Sequence, residues 1–248
     1  MTYVTRRQRA ENRKKKFKRA AIAIVAVAII FLALFGFVSW RLTENHGKAT
    51  SGLNIPIFSG QPYAVINNNV PYFDEEDKQT KTFESYSDLD PLGRCGVAYA
   101  NVSRELMPTE ERGEIGNIKP SGWNQEKYEG VVDSVPPYLY NRCHLIAYCL
   151  TAENANEKNL ITGTRYMNVN GMLPFEEKVA KYLDTYDNHV LYRVTPIFEG
   201  NNLVASGVLM EAYSVEDEGK GICFCVYCYN VQPGVKINYK TGESELEK

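Results

Sequence analysis

The run Tyr138-Leu-Tyr-Asn-Arg-Cys-His-Leu-Ile-Ala-Tyr148, entered through Pro136-Pro137, reads as an extended strand. At a side-chain period of two, Tyr138, Tyr140, Arg142 and His144 share one face, while Leu139, Asn141, Cys143 and Leu145 share the other. A guanidinium and an imidazole therefore project side by side from a strand end. The cation disfavours a proton on His144, which keeps the ring neutral, as a general base requires. Asn141 is expected to point away from that pair.

Downstream, Asn154-Ala-Asn-Glu-Lys-Asn-Leu-Ile-Thr-Gly-Thr-Arg-Tyr-Met-Asn168 is dense in amides. Turn chemistry accounts for Asn154 and Asn156. It accounts poorly for Asn168, which follows Thr164-Arg-Tyr-Met and directly precedes a helix. That helix is announced by Pro174 in its first turn and by Glu176 and Glu177 at its positive end. Phe175, Val179, Tyr182, Leu183 and Tyr186 then form one apolar stripe. Beyond it, 189–198, a turn at Gly200-Asn-Asn202 and 203–215 form a hairpin, with 221–231 as a third strand. Upstream, 62–66, 70–73 and 95–101 read as strands, 74–91 as an acidic loop, and 107–123 as irregular because of its glycines and proline. Strands, a central helix and a meander make the class α+β.

The quoted motifs resemble one family. Asn141-Arg-Cys-His144 is similar to the Asp-Arg-Gly-His signature of the DNA/RNA non-specific endonucleases, the ββα-metal (His-Me finger) nucleases. The spacing of Asn159 and Asn168 resembles that family's pair of asparagines near the helix. Leu92-Gly-Arg-Cys-Gly-Val-Ala, Gly116-Asn-Ile-Lys-Pro-Ser-Gly-Trp123 and Asn159-Leu-Ile-Thr-Gly-Thr-Arg165 extend the likeness, in order, from about Ile55 to Tyr239. Two departures stand out: Asn141 replaces an Asp, and Cys143 replaces a Gly, adding a thiol near the centre.

The resemblance implies a central antiparallel sheet and hydrolysis of phosphodiester bonds. Carried over, His144 is the general base, and Asn168 is the single direct protein ligand of a Mg²⁺ ion, with Mn²⁺ as a substitute. It further implies that Arg142 holds a phosphate and that Asn159 braces the loop carrying Asn168. Glu176 or Glu177 supports the ion's waters. Arg112, Lys119 and Arg165 are the candidates for a cation on the substrate backbone, and the sequence does not choose among them. No base reader is evident, so DNA and RNA are expected to be held through phosphates, independent of sequence.

The remainder of the chain sets the location. Residues 1–19 hold nine Lys or Arg and one Glu, and residues 20–40 hold no charge. As a helix, the second segment would span roughly 30 Å, the thickness of a bilayer core. The basic run predicts a cytoplasmic N-terminal tail, a single-pass anchor at 20–40 and an extracellular C-terminal domain. A stalk over 41–54, the nuclease domain over 55–240 and a tail over 241–248 complete the layout. Beyond Trp40, 19 basic and 29 acidic residues give a net charge of −10. That argues against a non-specific nucleic-acid glue and confines any cationic patch to the cleft.

All six cysteines lie beyond residue 40, where disulfides are permitted. Cys223-Phe-Cys-Val-Tyr-Cys228 invites a metal reading but lacks a nearby His or second Cys pair, so strand cysteines are expected. Two alternatives to the nuclease remain: a membrane-anchored nucleic-acid-binding protein, catalytically weak, on the same fold, and a zinc enzyme built on the late cysteines.

Overall fold

The computed structural model describes residues 53–247, so the tail at 1–19, the anchor at 20–40 and nearly all of the stalk lie outside the described residues. Among the described residues no helix is long and apolar enough to cross a membrane.

The largest element is a six-stranded antiparallel sheet. Its strands are β1 (Tyr63–Val65), β2 (Phe83–Tyr86), β3 (Ala98–Val102), β6 (Val190–Ile197), β7 (Gly207–Ser214) and β8 (Cys223–Tyr229), in the order β1-β8-β7-β6-β3-β2. A second unit packs on it: β4 (Tyr140–His144) pairs antiparallel with β5 (Leu160–Thr164), with Tyr140 opposite Thr164 and His144 opposite Leu160. A short helix α1 (Tyr148–Thr151) lies in the β4–β5 connection. A wide π-turn, Met167–Met172, then leads into helix α2 (Leu173–Thr185). Hairpin followed by helix is the ββα unit expected from the resemblance.

The core lies between that unit and one face of the large sheet. Period two sends Ala98, Ala100, Val102, Tyr192, Val194, Val208, Met210, Phe224, Val226 and Cys228 inward, against Leu145, Ile161, Met172, Val179 and Leu183. Helix α2 buries Glu176, Val179, Tyr182 and Leu183, while Tyr186 is exposed and already extended. Truncating Leu183 to Ala should cost about 2–5 kcal/mol, the usual range for a buried leucine.

The opposite face of the sheet is closed by a segment expected to be a strand. Residues 70–73 are irregular instead. Pro71 has no N–H to give a ladder, and the preceding Asn67, Asn68 and Asn69 all have positive φ, a run that breaks extended pairing. Tyr72 is held by side chains. Its N–H donates to Glu211 Oε1 at 2.7 Å, and its carbonyl accepts from Arg193 Nη2 at 2.9 Å.

Two further expectations change. The acidic stretch 74–91 contains β2, an edge strand whose charged and polar residues hide its pairing with β3. Residues 241–248 are no simple tail, because β9 (Val235–Ile237) pairs with β10 (Ser244–Leu246). Gly242 turns between them at φ +84°, with the Gly122 carbonyl where a side chain would begin, so only glycine fits. Its carbonyl accepts from Tyr140 Oη at 3.0 Å, and Ser244 Oγ bonds Tyr128 Oη at 2.7 Å. The six cysteines are all free thiols. In β8, Cys223 and Cys225 face one side and Cys228 the other, so the three cannot converge on a metal.

Candidate active site

A cleft of about 900 Å³ opens where β4, the start of α2 and the irregular 107–123 loop meet. His144, Asn168, Glu176, Arg112, Arg142 and Arg165 are among its lining residues. Lys119 and Glu177 are exposed residues outside that lining. Of the alternatives left open by the sequence, the cleft therefore gathers Arg112, Arg165 and Glu176. The helix phase explains the carboxylate: Glu176 lies three and seven residues before Val179 and Leu183, on the buried stripe, and Glu177 lies off it.

His144 ends β4 and is 7% exposed, more enclosed than an open cleft position suggests. Its Nε2 donates to the Asn154 carbonyl at 2.9 Å, and its Nδ1 stands 3.3 Å from Arg112 Nη2. A carbonyl only accepts and a guanidinium only donates. Both neighbours thus specify the neutral ring with its proton on Nε2. Burial holds the imidazole pKa below its ordinary value of 6.5, with Arg112 adding to the depression against the opposing Asn154 and Glu153 backbone contacts.

The cation beside the ring is therefore Arg112, not Arg142. Arg142 donates from Nε to the Ile118 carbonyl at 2.5 Å and from Nη2 to the Gly116 carbonyl at 2.7 Å. Its guanidinium also lies 4.3 Å over the Trp123 ring. With those donors committed to loop backbone, Arg142 holds the 116–118 segment in place. Arg165 lines the cleft and has no side-chain hydrogen bond among the described residues.

Asn159 is fully buried and braces a different neighbour from the one expected. Its Oδ1 accepts from Ile146 N–H at 2.9 Å and its Nδ2 donates to the Ile146 carbonyl at 2.9 Å. Its own carbonyl accepts from Leu145 N–H at 2.8 Å. A side chain shaped like a peptide completes the ladder just beyond β4, so Asn159 fixes His144 rather than the Asn168 loop. Asn141, opposite Gly163, is half-buried and is among the residues that line the cleft.

Asn168 enters the cleft from the π-turn, where its backbone carbonyl accepts from Leu173 N–H, five residues on. Such turns widen a helix and are frequent at functional sites. Its Oδ1 accepts from the Cys143 thiol at 2.9 Å. Glu176 is 7% exposed and makes no side-chain hydrogen bond among the described residues. Burial first, then the neighbouring Glu177 charge, push its carboxyl up to about 8, against the pull of Arg112.

Sequence reasoning missed Arg112 as the partner of His144, the Asn154 carbonyl and Asn230. Buried Asn230 accepts from Thr164 N–H at 2.8 Å and donates to the Thr162 carbonyl at 3.0 Å, tying β5 to the large sheet. Loop contacts of this kind have no periodic signature, whereas the phase of Glu176 was readable.

Comparison with known proteins agrees with the geometry. The chain is 29% identical over 196 residues to a deoxyribonuclease of Streptococcus dysgalactiae subsp. equisimilis, a match covering 63% of this chain and 59% of that relative's length. The structure resembles NucA from Streptococcus agalactiae with magnesium bound, at a TM-score of 0.68 and 25% identity over 84% of this chain and 97% of that one. It shares its fold with Sda1 nuclease bearing a zinc ion, at a TM-score of 0.61 and 24% identity over 76% and 97%. The profile of the DNA/RNA non-specific endonucleases matches residues 74–216, from before β2 to beyond β7 and across the whole ββα unit. With more than half of its length so matched, the chain belongs to the DNA/RNA non-specific endonuclease family.

Proposed function

We propose that this chain is a membrane-anchored endonuclease that acts outside the cytoplasm and hydrolyses phosphodiester bonds of DNA, and of RNA, without reading sequence. The observation that carries this reading is the state of His144: neutral, protonated on Nε2, with the lone pair of Nδ1 turned to Arg112 in a cleft that also holds other cations. A water hydrogen-bonded to Nδ1 gives its proton to the ring as its oxygen attacks phosphorus and the leaving 3′-oxygen departs. Arg112 stands where that water must arrive. A phosphate oxygen is a stronger acceptor for a guanidinium than a neutral imidazole is, so substrate draws Arg112 off the ring. The same cation then offsets charge growing on the phosphoryl oxygens, with Arg165 as a second phosphate contact.

Mg²⁺, with Mn²⁺ as a substitute, fits the residues present. Asn168 offers a neutral, hard oxygen, and Glu176 is a buried carboxyl that receives no hydrogen bond among the described residues. Asn168 would hold the ion directly and Glu176 would accept from its water shell. When bound, the ion supplies positive charge to the phosphate and the leaving oxygen. The uncharged segment 20–40 and the nine cations before it support an anchor with the nuclease domain outside.

Full-length protein in detergent, incubated with supercoiled plasmid and with RNA, tests the activity. Nicking at many positions, cleavage of both substrates and arrest by EDTA are expected, with rates falling as salt rises because the contacts are to phosphate. A discrete banding pattern, or undiminished cleavage in EDTA, would overturn the reading. For location, protease added to intact cells should remove the domain, and protection until lysis would reverse the orientation.

A further inference from the structure

We propose that Cys143 is a positioning residue whose thiol sets the orientation of the Asn168 side-chain amide and so presents Oδ1 as a cation ligand. The inference rests on the metal reading above and adds a role for the residue that departs from the family signature. Cys143 Sγ lies 2.9 Å from Asn168 Oδ1. An amide oxygen carries no proton, so the thiol donates. This is the only hydrogen bond made by the Asn168 side chain among the described residues. Flipping the amide would trade that bond for one from its NH₂ group to the sulfur, which is a weak acceptor. The donor takes one lone pair of Oδ1 and leaves the other free for a hard cation.

The surroundings leave the thiol no competing acceptor of equal strength. Cys143 is fully buried, and Met172 Sδ lies 3.5 Å from its sulfur. Across the hairpin, Gly163 contributes no side chain. A Cβ there would come within 2.7 Å of Cys143 Cβ, 3.1 Å of its Sγ and 2.7 Å of Met167 Cε. Room for the sulfur is thus made by the absence of a side chain on the facing strand. A thioether is a weak acceptor, so the amide oxygen is the preferred one. Strand β4 in this way delivers two groups on opposite sides: the His144 imidazole to the cleft and the Cys143 thiol to the back of the ligand.

Three variants of the full chain test this: Cys143→Ala removes the donor, Cys143→Ser keeps one, and Asn168→Ala removes the acceptor. The first readout needs no substrate: the rise in Tm as Mg²⁺ is titrated into metal-free protein. A hydrogen bond of this class is worth about 0.5–1.5 kcal/mol, so Cys143→Ala should need roughly 3–10-fold more Mg²⁺ for half of the shift. Cys143→Ser should need no more than about twice the wild-type amount, and kcat of both at saturating Mg²⁺ should stay within about twofold. A thiol that merely fills space would lower the Tm of both variants and leave the Mg²⁺ midpoint alone, and that result overturns the proposal. So does a serine variant as impaired as the alanine one. Should Cys143→Ala not fold, the Raman difference spectrum between wild type and Asn168→Ala decides, because the other five thiols cancel in it: a low S–H stretch, as a donor's is, should be lost and reappear at higher wavenumber in the variant. An unmoved band is the adverse result. Absence of any Mg²⁺-induced shift in the wild-type protein would instead strike the metal reading itself.

Discussion

Two buried carboxylates on opposite faces of the large sheet have contrasting surroundings. Glu211 in β7 is fully buried and saturated: both oxygens accept from Arg193, at 2.7 and 2.9 Å, and Tyr72 N–H adds a third bond at 2.7 Å. Arg193 in turn lies over the rings of Phe73 and Tyr99, at 4.7 and 5.7 Å. Glu176 in α2 is nearly as buried and its carboxyl makes no hydrogen bond among the described residues, and its proton is held up to about 8. One region neutralises its charge with donors from within the chain, and the other, among the described residues, gives its carboxyl no donor at all. Burial alone does not distinguish a structural acid from a functional one; the donors around it do.

The largest effect expected on this contrast is at the base. His144→Gly should fold and lose roughly 10²–10⁴-fold in rate, the usual contribution of a positioned base. Added imidazole should restore part of the activity as pH rises and the free base form accumulates. A folded variant that stays inactive at all imidazole concentrations would remove the base from His144. Next, Asn168→Ala should cut activity by roughly 10²-fold or more and raise the Mg²⁺ requirement, with near-normal kinetics as the result that removes Asn168 from the site.

The same substitution at the two acids should then act in opposite directions. Glu211→Gln strands the buried Arg193 charge and should cost about 3–5 kcal/mol in urea unfolding. Glu176→Gln should stabilise the metal-free protein at alkaline pH while lowering Mg²⁺-dependent activity. A carboxyl with a raised pKa binds its proton more tightly when folded, so metal-free stability should fall as pH rises from about 4.5 through about 8. That slope should flatten in Glu176→Gln. Parallel losses at both positions would erase the distinction drawn here.

The smallest effect concerns the acid limb of kcat/KM. His144 has a pKa below 6.5, so activity should persist below that pH before falling as the ring protonates. Arg112→Ala removes one depressing charge and should shift the limb toward higher pH. An unmoved limb would show that burial alone sets it.

The elements with a repeating signal were legible in the sequence. Period two exposed β4 and the meander β6–β8, and the apolar stripe exposed α2, because each buries a continuous face. The edge strand β2 escaped because one neighbour and a charged surface leave little pattern. The site divided along the same line. His144 and Asn168 stood out through their neighbours in sequence, whereas Arg112 reaches His144 from 32 residues upstream through a loop without periodicity. The target of Asn159 was hidden for another reason: an amide that mimics a peptide can complete any open ladder, and only the fold says which.

The hairpin β9–β10 carries a consequence for the order in which the protein matures. It supplies the wall behind β4, through the Gly242 carbonyl on Tyr140 and the packing of Val235 against Leu139 and Tyr140. Ribosomal synthesis runs from the N-terminus, so the strand bearing His144 is made about a hundred residues before that wall. A nascent chain therefore carries every reactive side chain of the cleft well before it can hold them in register.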